Sequence, residues 1–189
     1  MPDKPSYIGL LNAISLGESE AEGYLDAWAA VTPDDGVRSV ISTIALREGE
    51  HGKAFAKRLC ELGYGVQPRE SDTTSKMDIA CSTTLSDKEK FEKLGLGRGV
   101  RERADDNDVF VNMFKDTTVD IQTSTLLGRY VAEERDSGRM LAGCYAQLCQ
   151  RSNGDGAAML ATVTAGLEAR LGRVEALLEQ ICEKVSAHN

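Results

Sequence analysis

Apolar residues recur at alternating spacings of three and four along four long stretches of this chain, which is the repeat of an α-helix with one buried face. The stretches cover about residues 6–31, 32–63, 108–150 and 155–186, and the third allows an interruption or a kink. The most regular repeat, in the fourth stretch, consists of Leu160, Thr164, Leu167, Leu171, Val174, Leu178, Ile181 and Val185. Four long helices, with no alternating pattern typical of strands, predict an all-α fold built as a four-helix bundle.

Short connections predict that these helices pair as two hairpins. The second helix follows the first almost at once, because Thr32 can cap it and Pro33 suits its first position. The sequence RSNGDG separates the third helix from the fourth in a similar way. We therefore expect one domain over residues 1–189, made of helical hairpins at 6–63 and 108–186.

The segment between the hairpins, residues 64–107, is expected to be a long crossover with local structure. Before it, the second helix should end where Gly63 or Gly65 adopts the left-handed conformation that glycine tolerates. Within the crossover, Ser86 and Glu89 have the spacing of a capping box. This pair predicts a short helix that begins just after the serine.

Composition limits the partners that the protein can have. A net charge of -8 and a pI near 4.9 disfavour nucleic acid, for which a basic surface is expected. No apolar run is long enough to span a bilayer, and the amino terminus does not resemble a signal peptide. Five cysteines without a C-x-x-C pair argue against a disulfide framework and a thiolate zinc site. We therefore expect a cytoplasmic protein, with no membrane partner, whose natural ligands are cations.

Two ionisable residues of the second helix occupy positions where its apolar repeat predicts core residues. They are Glu48 and His51, in the sequence ALREGEH. A buried carboxylate costs several kcal/mol unless it is paired, hydrogen-bonded or bound to a metal. Residues three apart are neighbours on one helical face, so this E-x-x-H pair can converge on one cation. A buried Glu–His ion pair, or a pair on the surface, would explain the same spacing without a metal.

Further glutamates fall on the apolar repeats of other helices. Glu18 lies on the repeat of the first helix and Glu134 on that of the third. Glu133 could take the place of Glu134 if the third helix were rotated. Tyr24 and Tyr130 are candidates for hydrogen bonds to such carboxylates, although tyrosine near a helical core often serves packing alone.

The two predicted hairpins resemble each other when Glu18 is laid on Glu134 and Glu48 on Glu168. The sequence EGEHG then lies opposite EARLG, so that Leu171 stands where the first hairpin has its histidine. Glu168 lies at the edge of an apolar repeat that is complete without it. A solvated or interhelical salt-bridge role for Glu168 therefore stays open.

Two segments resemble the first two helices of rubrerythrin-type di-iron proteins of the ferritin-like superfamily. They are LGESEAEGY at residues 16–24 and LREGEHGKAF at residues 46–55. The resemblance extends over residues 6–63 and 108–186, whereas the crossover has no counterpart. That architecture takes one glutamate from each of two helices and an E-x-x-H from each of the other two.

The resemblance implies an asymmetric metal site. Glu18, Glu48 and His51 would hold a first metal, with Glu48 also bridging to a second. Glu168 would be the other bridge, and Glu134 the terminal ligand of the second metal. Because the second E-x-x-H has leucine in place of histidine, the second metal would be bound weakly or not at all.

The resemblance also implies a function. Peroxide or dioxygen would oxidise Fe(II) at the carboxylate-bridged pair, so the resemblance implies an iron-dependent peroxidase or ferroxidase. Manganese is the other metal that suits these ligands. The sequence has no rubredoxin-like segment, so we expect an external electron-donor protein. The alternative is a structural or partner-binding four-helix bundle with a degenerate site that is empty or holds one metal.

The third stretch carries more apolar residues than the bundle needs, which predicts a homodimer. These residues are Phe110, Met113, Phe114 and Ile121.

Overall fold

The computed structural model describes residues 5–69, 73–97 and 117–152. Within these ranges the chain forms helices and no strand, so the predicted all-α class is confirmed for them. The helices are α1 (Ile8–Val31), α2 (Asp35–Glu61), α3 (Thr73–Cys81), α4 (Asp87–Leu94) and α5 (Ile121–Ser152). No helix in the described part of the chain combines the length and apolarity needed to cross a bilayer.

Several predictions concern residues outside the described ranges. The chain divides into two compact units, Met1–Ala146 and Gln147–Asn189, and all contacts below lie in the first. The second unit is described only to Ser152, so the predicted fourth helix, with Glu168 and Leu171, lies outside the described residues. The single domain stays a prediction. So does the homodimer, for which Ile121 alone is described, with 85% of its surface exposed.

The start of α2 differs from the sequence prediction. Asp34 is its N-cap, and the Asp34 carboxylate accepts hydrogen bonds from two N–H groups of the first turn at 2.8 and 3.1 Å. Thr32 was predicted to be the cap, and this was wrong: its hydroxyl instead donates to Asp87 at 2.6 Å. Pro33 consequently lies before the helix. The carboxylate two residues later satisfies the exposed N–H groups, so that the threonine is free to join α1 to α4.

The end of α2 was predicted at either of two glycines, and the structure selects Gly63. This residue has φ 83°, in the left-handed region. Tyr64 N–H donates to Leu59 C=O at 2.9 Å, and Gly63 N–H donates to Cys60 C=O at 3.0 Å. This pair of bonds satisfies carbonyls that would otherwise lack partners at the helix end.

The capping box at the start of α4 is confirmed. Glu89 N–H donates to Ser86 Oγ at 3.3 Å, and Ser86 N–H donates to Glu89 Oε2 at 2.8 Å. The helix buries Phe91 completely, edge-on to Trp28 with ring centroids 4.9 Å apart. The Trp28 indole N–H also donates to Asp87 at 2.6 Å, so that α4 is held on α1. The preceding helix α3 was not predicted, because its short, polar sequence has no apolar repeat.

The sequence left open an interruption of the third helix, and residues 117–120 form a turn instead of helix. There Asp120 ends the turn and caps α5. Its carboxylate accepts hydrogen bonds from Thr123 N–H at 3.0 Å and from the Thr123 hydroxyl at 2.7 Å. The apolar repeat alone could not show this boundary, because it does not report on caps.

The same aspartate joins three helices in a polar contact. Arg58 of α2 donates to Asp120 at 2.8 Å and to Thr123 Oγ1 at 2.8 Å, and the Tyr7 hydroxyl donates to Asp120 at 3.1 Å. Only 8% of Arg58 is exposed. A guanidinium can be buried to this extent because its N–H groups meet charged and polar acceptors. This contact holds α5 against α1 and α2.

An apolar cluster beside this contact completes the packing of the three long helices. Leu127 and Val131 of α5 are buried, as the sequence predicts. The cluster consists of Tyr7, Ile8, Leu11, Ile14, Phe55, Leu59, Leu127, Tyr130 and Val131.

Helices α1 and α2 approach most closely at Gly52. The Ser15 hydroxyl donates to Gly52 C=O at 3.0 Å. A Cβ atom at Gly52 would lie 2.5 Å from Ser19 Oγ, 3.1 Å from Ser19 N and 3.2 Å from Ser15 O. The hydroxyl could rotate away, but the backbone atoms could not, so glycine is required by the close contact.

We predict that Gly52→Ala destabilises the protein by about 1–3 kcal/mol, because the added methyl group forces the two helices apart. Gly17→Ala on α1 is the matched control, since its Cβ would have no neighbour within 4 Å. This control should raise stability by up to about 1 kcal/mol through helix propensity. Urea unfolding followed by circular dichroism measures both, and equal stabilisation by the two substitutions would contradict the close contact.

Candidate metal centre

Four ionisable side chains from three helices converge on one point. Glu18 comes from α1, Glu48 and His51 from α2, and Glu134 from α5, and one possible ligand atom of each lies within 4.8 Å of those of the others. We call these four residues the carboxylate–histidine cluster. The structure therefore brings together four of the five residues that the sequence suggested as ligands, while Glu168 lies outside the described residues.

The position of the E-x-x-H pair follows from the phase of α2. Ile44 and Phe55 on the same face are buried, with 1% and 0% exposed. Glu48 and His51, between them in sequence, have 6% and 4% exposed. Both ionisable groups thus point inward because the apolar residues around them do.

The two nitrogens of the His51 ring have different surroundings. Nε2 lies 2.7 Å from Glu133 Oε2. Nδ1 faces the cluster, 3.5 Å from Glu134 Oε1 and 4.0 Å from Glu48 Oε2. Nδ1 of His51 and Oε1 of Glu134 are buried, and neither has a hydrogen-bond partner in the described part of the chain. Since an unpaired buried polar atom costs about 1–3 kcal/mol, these two atoms suit a bound cation.

Tyr130 of α5 is a neighbour of this cluster. Its hydroxyl donates to Glu18 Oε1 at 2.6 Å. Its ring packs edge-on against His51 at 5.0 Å and against Phe55 at 5.2 Å. The hydrogen bond that the sequence suggested for this tyrosine is present, and it restrains the Glu18 carboxylate. The other suggested tyrosine, Tyr24, is also buried.

Burial and mutual repulsion change the acidity of these groups. Burial raises the pKa of Glu18 to about 7. The negative charge of Glu134 adds to this rise, whereas the hydrogen bond from Tyr130 opposes it. Burial raises the pKa of Tyr24 to about 12, and the charge of Glu18 adds to it. For His51, burial favours the neutral ring, but the carboxylates of Glu134 and Glu133 outweigh it and raise the pKa. The cluster therefore favours positive charge at its centre.

The two consecutive glutamates of α5 have separate roles. Glu134 faces the cluster, whereas Glu133 meets the opposite nitrogen of the His51 ring and accepts a hydrogen bond from Arg129 at 2.9 Å. From the sequence, Glu133 was predicted only as a substitute for Glu134, and its contact with the histidine was not predicted. Consecutive helical residues point about 100° apart, and no spacing in one helix shows that both reach the same ring.

The donor set matches the preferences of hard divalent cations. Three carboxylates and one imidazole suit iron and manganese better than ions that prefer thiolates.

Comparisons of the chain with protein-family models, with curated proteins and with solved structures found no match.

We predict that the metal-free protein, kept in chelator, loses stability as pH rises from about 4.5 to about 7. Over this range the folded state still holds the proton on Glu18, whereas the unfolded state has released it, so rising pH favours unfolding. Glu18→Gln should remove this slope, which amounts to roughly 3 kcal/mol at most. The control is Glu50→Gln, which changes a glutamate of α2 with 71% of its side chain exposed. Identical slopes in the two variants would contradict the assignment.

Proposed function

We propose that this protein binds a divalent transition metal, iron or manganese, through the carboxylate–histidine cluster. The observation that carries the proposal is His51, which is only 4% exposed. Its Nδ1 has no hydrogen bond in the described part of the chain and lies 3.5 Å from Glu134 Oε1 and 4.0 Å from Glu48 Oε2. Burying these polar groups costs free energy unless a bound partner interacts with them. A divalent cation would satisfy the nitrogen and offset the charge of the carboxylates.

We further propose that the fold is the ferritin-like four-helix bundle. Ser15 of α1 contacts Gly52 of α2, and Glu22, further along α1, lies beside Gly49, which comes earlier in α2. Two helices whose contacts run in opposite order are antiparallel, as in a helical hairpin. Three long helices direct ligand-type side chains inward, as this architecture does. The predicted fourth helix at residues 155–186, and with it Glu168, stays a prediction.

The activity we propose is that of a peroxidase or ferroxidase of rubrerythrin type, with an external electron-donor protein. Bound iron would supply oxidation chemistry with peroxide or dioxygen, as the sequence resemblance implies. The chain's own groups would shape the site. The Tyr130 hydroxyl orients the Glu18 carboxylate, and the burial of Glu48 keeps water from the Glu48 carboxylate. Because Leu171 replaces a histidine, the site holding Glu18, Glu48 and His51 should be the tighter one.

A second candidate function is a structural bundle that binds a partner and holds no metal. The contact of His51 Nε2 with Glu133 at 2.7 Å favours it, since an ion pair compensates a buried imidazolium without any metal. Nδ1 of the same ring and Oε1 of Glu134 lie 3.5 Å apart, and neither has a hydrogen bond in the described part of the chain. For this reason we rank metal binding first.

We predict that wild-type protein, stripped with chelator, binds Mn²⁺ in isothermal titration. His51→Ala should weaken this binding by at least about 100-fold, because it removes the only imidazole of the cluster. The helical circular dichroism should persist, since the apolar repeats do not depend on the ligand. His188→Ala is the control, because it removes the only other histidine of the chain.

Equal Mn²⁺ affinity in wild type and His51→Ala would show that the site assignment is wrong. Absence of binding by wild type to both Mn²⁺ and anaerobic Fe²⁺ would favour the structural bundle instead.

A further inference from the structure

Glu133 lies beside the carboxylate–histidine cluster without belonging to it. Its Oε2 atom is 2.7 Å from His51 Nε2, and its Oε1 atom accepts a hydrogen bond from Arg129 Nε at 2.9 Å. Both oxygens of the carboxylate are therefore engaged, which restricts its rotation. The side chain is 30% exposed, so it reaches the buried ring from the solvent side of α5.

This contact decides which nitrogen of His51 can bind a metal. A neutral imidazole carries one proton, and a carboxylate beside one nitrogen keeps that proton there. With the proton on Nε2, the lone pair lies on Nδ1, the atom 3.5 Å from Glu134 Oε1 in the cluster. The two consecutive glutamates thus act on opposite sides of one ring.

We propose that Glu133 is a positioning residue that holds the His51 proton on Nε2 and presents Nδ1 to the metal. The inference rests on the proposed metal-binding function. It also explains why Glu133 cannot exchange roles with Glu134, as the sequence allowed: to become a ligand, it would have to leave both His51 and Arg129. Carboxylates that contact a ligating histidine typically contribute about 10–100-fold to metal affinity.

The first test compares Zn²⁺ affinity in chelator-stripped variants. Glu133→Ala should bind Zn²⁺ about 10–100-fold more weakly than wild type. Glu133→Gln should recover part of this loss, because its amide oxygen can still accept a hydrogen bond from Nε2. Asp136→Ala is the matched control: Asp136 is also an α5 carboxylate paired with α2, at 2.8 Å from Arg47. It does not belong to the cluster, so its loss should leave Zn²⁺ affinity within about twofold of wild type.

The second test identifies the ligating nitrogen directly by ¹⁵N NMR of histidine-labelled protein. The chain has two histidines, so a His188→Gln background leaves the signals of His51 alone. In the Zn²⁺-loaded protein we expect a proton bonded to Nε2 and a metal-shifted Nδ1. In Glu133→Ala, the Nε2 proton should exchange with water, or the metal should bind Nδ1 in some molecules and Nε2 in others. A purely structural role for Glu133 would not change these ring signals.

The outcomes separate this inference from the proposed function. Normal Zn²⁺ binding in wild type, with unchanged affinity or unchanged ring signals in Glu133→Ala, would overturn the positioning role and leave metal binding intact. Ligation through Nε2 in wild type would overturn it as well. If wild type bound neither Zn²⁺ nor Mn²⁺, the proposed function would fail and the inference with it.

Discussion

The burial of one imidazole and one carboxylate, beside two half-buried carboxylates, is the constraint on which the rest of this structure depends. Each group loses water when the helices pack, and each needs a partner inside the protein. Glu18 finds one in the Tyr130 hydroxyl, and His51 finds one in Glu133. His51 Nδ1 and Glu134 Oε1 face each other at 3.5 Å, and neither has a hydrogen bond among the described residues. The site is thus compensated at its edge and unsatisfied at its centre, which is where a cation would bind.

The placement of α5 connects this site to the stability of the fold. Near the start of α5, Asp120 receives Arg58, and further along the helix Tyr130 and Glu133 reach Glu18 and His51. The apolar residues between them, such as Leu127, pack on α1 and α2. A shift of α5 would therefore disturb the core and the donor geometry together. The close approach of α1 and α2 at Gly52 brings Glu18 close to Glu48 and His51 in the same way.

Features that depend on neighbouring residues along the chain were predicted correctly from the sequence. The phase of the apolar repeats placed Glu48 and His51 inside, and the spacing of Ser86 and Glu89 predicted α4. It worked less well at boundaries. Thr32 looked like a cap, but its hydroxyl is used by α4, which lies far away in sequence. Such competition between a local role and a distant partner cannot be seen in a spacing.

The sequence by itself determined which residues face inward, because helical periodicity depends only on neighbours along the chain. It therefore identified Glu18, Glu48, His51 and Glu134, with Glu133 as the substitute for Glu134 if the helix were rotated. Only the tertiary structure decided between that pair and assigned each to one side of the His51 ring. The rotation of α5 against α2 makes this choice. It depends on contacts between residues far apart in the sequence, such as Arg58 and Asp120, which are 62 positions apart. No repeat within one helix encodes such contacts.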